Sequence, residues 1–300
     1  MNIKSLINHF ATYLLTQKRV AHNTYSAYCK DLEQFEEFLT EQKIELESLS
    51  YKTIKLFLSH LKNHNIGPRS LSRKISTLKA FFSYANQNYN VQNFMVNIGF
   101  PKLEKKLPRH LVENEVIQLM QKAEEDASPT GIRNKTMLHL LYATGLRISE
   151  LVNLKIPSIN FETGMILVDG KGGKQRVVPL PQPTIKLLKS YIENTHEQLT
   201  PGRPPLDFLF PTVYKNLVKS ITRQAFWMIL RKLVKGTSLE NNLSPHKLRH
   251  TLATHLLYKG VDLRSLQILL GHENLSTVQI YTHLEVKHLR KIYDKKHPRS

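Results

Sequence analysis

Through roughly the first ninety residues, apolar side chains recur at spacings of three and four, and this periodicity predicts a cluster of amphipathic helices. Ile7, Phe10, Tyr13 and Leu14 form one stripe. After Asn23, a residue suited to a helix N-cap, Tyr25, Tyr28, Leu32, Phe35 and Leu39 form a second; Ser50 opens a third with Ile54, Phe57, Leu58 and Leu61. In "SLSRKISTLKAFFSYA", Leu71, Ile75, Leu78 and Phe82 are expected to face inward, leaving Arg73, Lys74 and Lys79 on the opposite face. A charged helix face is usually just solvated, but four helices with basic outer faces also suit a phosphate backbone.

The pattern breaks at "NFMVNIGFPKLEKKLPRHLVENE", where Pro101 and Pro108 flank a lysine cluster. This predicts a helical N-terminal domain over 1–100, a basic linker over 101–110 and a second domain over 111–300, whose first helix begins near Glu113. The second domain reads as mainly helical with one β insertion. In "GMILVDGKGGKQRVVPL" two β-rich runs flank a glycine pair, a hairpin signal. The fold class is therefore mainly α, with a mixed α/β, mostly helical second domain carrying a small sheet.

Charge narrows the partner. Forty-three Lys and Arg against 24 Asp and Glu give a net charge of +19, which points to a polyanion, with nucleic acid ahead of acidic lipid because no polybasic block sits beside an apolar anchor. A single cysteine, Cys29, excludes an internal disulfide, and no apolar run approaches the length of a membrane span. The first segment lacks the apolar run of a signal peptide. The expectation is a soluble cytoplasmic protein with no membrane contact.

Four stretches carry candidate chemistry. In "LLYATGLRISELVNL" a helix is expected to end at Thr144-Gly145, with Arg147 starting the next and Glu150 on the same face three residues on. A routine surface pair satisfies that spacing, but so does an arginine held by a carboxylate with its planar fork turned to a phosphate. In "VDGKGGKQRVVPL" the glycines around Lys171 permit a tight hairpin tip, from which the ammonium could donate a proton; a nucleotide-binding loop is excluded because no GK[ST] ending or helix follows.

In "SPHKLRHTLATHLLYKG" Ser244 caps a helix with Pro245 at its first position, Leu248, Leu252 and Leu256 inward, and Gly260 at its end. His246 and Arg249 are three apart and so are neighbours; His246 and His250 have metal-ligand spacing, but the HExxH glutamate is missing, so no metal is expected. In the fourth stretch Asp262 caps a helix that Gly271 terminates, His272 follows, and "LSTVQIYTH" carries Tyr281.

Two arginines, a lysine and two histidines are donors suited to the oxygens of a phosphodiester, and no carboxylate cluster is present to bind magnesium. Cleavage without a metal or cofactor requires such donors where charge develops, and it requires a nucleophile, for which a serine or tyrosine would serve. A tyrosine hydroxyl, with a reference pKa of about 10, is a poor nucleophile by itself. Tyr281 stands out from twelve tyrosines only because the motifs converge around it.

"ATGLRISEL", "GKGGKQRVVPL", "SPHKLRHTLATHLL", "LLGHENLSTVQIYTH" and "YDKKHPRS", in this order, closely resemble the tyrosine recombinase (phage integrase) family, and within it the bacterial Xer-type site-specific recombinases. The resemblance implies a core-binding, SAM-like N-terminal domain and a tyrosine recombinase catalytic domain, clamped around double-stranded DNA. Arg147, Lys171, His246, Arg249, His272 and Tyr281 match the family's active-site positions, with Glu150 in the accessory acidic place.

The implied chemistry is attack by Tyr281 on the scissile phosphate to form a 3′-phosphotyrosyl link, followed by religation without ATP or metal. Arg147, Arg249 and His272 would hold the phosphate, Lys171 would protonate the leaving 5′-oxygen, and His246 would serve as base. Arg73, Lys74, Lys79 and Arg223 are candidate DNA contacts. The resemblance also implies a homo- or hetero-tetramer on two duplexes, a paralogous recombinase or a DNA translocase as further partners, and resolution of chromosome or plasmid dimers as the task. Type IB topoisomerase-like relaxation and a non-catalytic DNA-binding regulator on the same fold are the alternatives.

Overall fold

The computed structural model describes residues 2–102, 110–170, 175–203, 207–240, 242–271, 296 and 298. The chain divides into two compact units, Met1–Leu107 and Pro108–Ser300. Among the described residues both are built mainly from helices, with small antiparallel sheets found in the second. Among the described residues no helix is long and apolar enough to cross a membrane.

The first unit consists of α1 (Ile3–Thr16), α2 (His22–Glu41), α3 (Tyr51–Asn63) and α4 (Pro68–Tyr89). Leu6, Phe10, Leu32, Phe35, Leu39, Ile54, Phe57, Leu61, Ile75, Leu78 and Phe82 are buried together, as the periodicity requires. Ser50 caps α3 by accepting the Thr53 N–H. The start of α2 differs from expectation. It begins at His22 with Ala21 as the cap residue and no side-chain cap bond, so Asn23 lies inside the first turn.

A larger correction concerns the basic face of α4. Lys74 is buried, its ammonium 2.8 Å from Asp31 Oδ1 and 2.5 Å from Gln34 Oε1 on α2. Arg73 is exposed but donates to the Asp31 carboxylate and to the Ala27 carbonyl at 3.1 Å. These two side chains join α4 to α2, and Lys74 is turned inward rather than to the outer face. Lys79 is half-buried, with its ammonium 4.8 Å from the centre of the Phe100 ring.

The second unit packs α5 (Glu113–Lys122), α8 (Gln182–Asn194) and α10 (Pro245–Tyr258) around α6 (Pro129–Thr144). Central position explains why α6 buries side chains on every face, including Met137, Leu138, Leu140, Leu141 and Tyr142. The hairpin forms as β2 (Met165–Asp169) and β3 (Gln175–Pro179), with a short β1 (Ile159–Asn160) on its outer edge. Register pairs Val168 with Arg176 and Ile166 with Val178, and all four of these residues are buried.

One β insertion was expected, but a second hairpin is present: β4 (Pro211–Tyr214) and β5 (Leu217–Ser220). Lys215 and Asn216 between them both have positive φ, 48° and 63°, as a type I′ turn requires. Exposed Arg223 opens α9 (Arg223–Leu233), and α11 (Leu263–Leu270) follows α10.

Candidate active site

The site is assembled where four chain segments end. At the C-terminus of α6, Gly145 adopts φ 61°, and a Cβ there would meet Leu270 Cδ2 at 2.9 Å and Leu252 Cδ2 at 3.0 Å. Only glycine allows this left-handed turn so close to α10 and α11. Arg147 then becomes the cap residue of the short α7 (Ile148–Val152), and Glu150 reaches back to accept its backbone N–H at 2.7 Å.

Glu150 is buried and saturated. Its Oε1 accepts from Arg147 Nη1 at 2.9 Å and from Arg176 Nη1 at 2.8 Å, while its Oε2 accepts from Arg176 Nη2 at 2.7 Å in addition to the backbone bond. Burial pushes the Glu150 carboxyl upward, but the Arg176 and Arg147 guanidiniums and the Arg147 N–H outweigh it and hold the group below its ordinary 4.5.

Ser244 caps α10 through the Lys247 N–H at 3.1 Å, with Pro245 at the first position. The next turn delivers Arg249 into the interior, where its guanidinium donates to the carbonyls of Gly145 and Leu270. Burial first, then the like charges of Arg147 and Arg176, lower its pKa to about 10, which still leaves it cationic at neutral pH.

The end of α11 explains how these cations can gather. Asp262 caps its start through Ser265 at 2.9 Å, and Gly271 ends it at φ 64°. A helix C-terminus presents carbonyls without intrahelical partners and carries partial negative charge. Here each of the last three takes a different arginine: Leu269 O from Arg176 Nε at 3.3 Å, Leu270 O from Arg249, and Gly271 O from Arg147 Nη2 at 2.8 Å. With the Gly145 carbonyl counted, three guanidiniums thus share one carboxylate and four carbonyls, and the Arg147 side chain is one-third exposed.

Of the expected site residues, the structure brings together Arg147, Glu150 and Arg249. His246 lies exposed on the first turn of α10, one turn before Arg249. Lys171, His272 and Tyr281 lie outside the described residues. In the chain, Lys171 comes two positions after the end of β2, and His272 directly follows Gly271.

Arg176 was not foreseen. A signal existed, because strand alternation puts Arg176 on the same side as core residue Val178.

The family model described as "Phage integrase family" matches residues 109–288, and "Phage integrase, N-terminal SAM-like domain" matches residues 7–88. The chain belongs to the phage integrase family. Among its curated relatives are proteins named tyrosine recombinase XerD. That of Staphylococcus saprophyticus is 37% identical over 298 residues, covering 99% of each chain, and that of Staphylococcus aureus is 35% identical over 300 residues, covering 99% of this chain and all of the relative.

Two solved structures share the fold. The XerH site-specific recombinase, in a post-cleavage complex with a palindromic difH substrate, is 27% identical with a TM-score of 0.67, over 89% of this chain and 78% of that one. The Tn1549 transposon integrase in complex with circular intermediate DNA, 20% identical, superposes with a TM-score of 0.70 over 96% and 98% of the two chains.

Proposed function

We infer that the arginine cluster is the phosphate-holding part of a strand-exchange site: the chain is a Xer-type tyrosine site-specific recombinase, an enzyme that cleaves and rejoins DNA. One observation carries the residue-level reading. Arg147 and Arg249 converge on the same carbonyl end of α11, immediately before His272 in the chain, and Arg147 keeps an exposed edge. Planar guanidiniums fixed in advance suit the two non-bridging oxygens of a phosphodiester and need no rearrangement as charge grows on them.

In this reading Tyr281 Oη attacks the phosphorus, the bond to the 5′-oxygen breaks, and a 3′-phosphotyrosyl link forms. His246 accepts the tyrosine proton, Lys171 donates a proton to the departing 5′-oxygen, and His272 supports the phosphate. Rejoining runs the same steps backwards with a 5′-hydroxyl as nucleophile, so the bond energy is conserved in the covalent link.

The partner is double-stranded DNA, as in the XerH and Tn1549 complexes. The first unit acts as the core-binding domain, and exposed Arg223 at the start of α9 is a candidate contact. Assembly as a tetramer, alone or with a paralogue, and resolution of chromosome or plasmid dimers under a DNA translocase complete the proposal.

The test is a nicked suicide duplex carrying the target site. Wild type is expected to form a covalent protein–DNA adduct, whereas Tyr281→Phe binds the duplex without forming one. An adduct that survives Tyr281→Phe overturns the assignment.

A further inference from the structure

We propose that Arg176 is a positioning residue for strand cleavage, acting through Glu150 to set the Arg147 guanidinium and through Leu269 to anchor the end of α11. This rests on the recombinase reading of the same site. Arg176 is 5% exposed, so it is shielded from direct contact with a duplex. Its bonds nevertheless reach both parts that must be aligned.

Glu150 accepts four bonds, two from each arginine. A carboxylate offers about four lone-pair sites, so the Arg176 fork fills those that Arg147 leaves. Remove the fork, and the carboxylate is free to turn toward Arg147 and draw that guanidinium inward. The Arg176 Nε–H simultaneously holds Leu269 O at 3.3 Å. The backbone of Gly271 also lies directly against the side chain: a Cβ at Gly271 would sit 3.0 Å from Arg176 Cδ and 3.3 Å from Cζ. The last residue before His272 is thus seated on the Arg176 side chain.

β3 supplies the rigidity. Arg176 pairs with Val168 inside the ladder, one pair from its tip-side end, and the next residue on the same face of β3, Val178, is buried, so its backbone is fixed by the ladder rather than by a loop. Buried among like charges, the side chain would be unfavourable without its acid partner. It persists because Glu150 and the α11 carbonyls together balance three cations.

Arg176→Lys separates this role from general stability, since lysine keeps the charge but cannot make the bidentate pair. In single-turnover cleavage of the nicked suicide duplex by the full chain, it is expected to bind DNA as wild type does yet form adduct about 10- to 100-fold more slowly, as a displacement of roughly 1 Å at a reacting group produces. Arg147→Lys/Arg176→Lys should be slowed by less than the product of the two single effects, because the part of the Arg176 effect that runs through Glu150 acts on the same guanidinium.

A wild-type cleavage rate in Arg176→Lys, or a double variant slowed by the product of the two single effects, overturns the proposal. Should Arg176→Lys fail to fold, Gly271→Ala probes the same contact with every charge retained, and full-rate cleavage by that variant overturns it. Absence of any adduct with wild type refutes the recombinase reading, and this inference with it.

Discussion

Each unit of the molecule contains a buried carboxylate held by two cations, and the two are put to different uses. In the first unit Asp31 on α2 receives Arg73, Lys74 and the Thr77 hydroxyl, all from α4, and so welds one helix to another. In the second unit Glu150 receives Arg147 and Arg176, with Arg249 alongside on the same helix end. Each has one buried cation and one partly exposed arginine: side chains of Lys74 and Arg73 are 9% and 43% exposed, those of Arg176 and Arg147 5% and 34%. The difference lies in the surplus. One acid faces two cations around Asp31, but three guanidiniums gather around Glu150, with helix carbonyls supplying the remaining negative field. A positive surplus stabilised by neutral carbonyls is a site ready for an anion.

The largest test removes each acid in turn. Asp31→Ala and Glu150→Ala each strand a buried cation and should cost about 3–5 kcal/mol of stability. The two losses are separable, because Trp227, the only tryptophan, lies in α9 and reports on the second unit. Its fluorescence transition should shift with Glu150→Ala, while Asp31→Ala should shift the far-UV circular dichroism transition first. At saturating protein, adduct formation should fall about 100-fold or more in Glu150→Ala and stay near wild type in Asp31→Ala. Equal slowing by both would erase the distinction.

The same comparison shows what was legible in the sequence. Helix stripes, the caps at Ser50, Ser244 and Asp262, the hairpin around Gly170 and the Arg147–Glu150 pair follow from spacings of a few residues, where local physics decides. Lys74 misled because a lysine counts as polar in a periodic pattern, and its partner Asp31 belongs to another helix. Arg176 stayed hidden for the same reason: its acid lies on α7, and no short-range rule links them. The β4–β5 hairpin escaped because Lys215-Asn216 takes up left-handed geometry without the usual glycine. Long-range charge pairing, which built both knots, leaves little trace in a linear pattern.

A smaller effect sharpens the contrast between the units. Both contain a helix ended by a left-handed residue, Asn90 after α4 and Gly145 after α6. Asn90 is exposed and already carries a Cβ, so Asn90→Ala should cost under about 1 kcal/mol and leave cleavage alone. Gly145→Ala adds about 1–2 kcal/mol of backbone strain and forces a methyl against Leu270 and Leu252, displacing the carbonyl that Arg249 holds. Thermal melts and adduct kinetics read both, and a Gly145→Ala protein with wild-type cleavage would show the Arg249 seat to be tolerant.

Acidification gives the finest discrimination. His255 on α10 is buried, its Nε2 2.8 Å from Leu111 O and its Nδ1 2.8 Å from the Tyr142 hydroxyl. A carbonyl can only accept, so Nε2 carries the proton and Nδ1 takes the bond from tyrosine. Burial lowers the imidazole pKa below 6.5; Leu111 O and nearby Glu113 oppose this, while His110 and Lys259 reinforce it. For a histidine held neutral in the fold, the unfolded chain binds the proton more readily, so its contribution is complete above pH 6.5 and is lost as pH falls toward the lowered folded value. Glu150 loses its contribution in a lower window, complete above 4.5 and gone once pH passes through its depressed folded value. The Trp227 unfolding midpoint in urea should therefore begin to fall just below pH 6.5 and fall again below pH 4.5. His255→Gln should cost about 1–2 kcal/mol at pH 7 and flatten only the first descent, leaving the second to the arginine-held carboxylate.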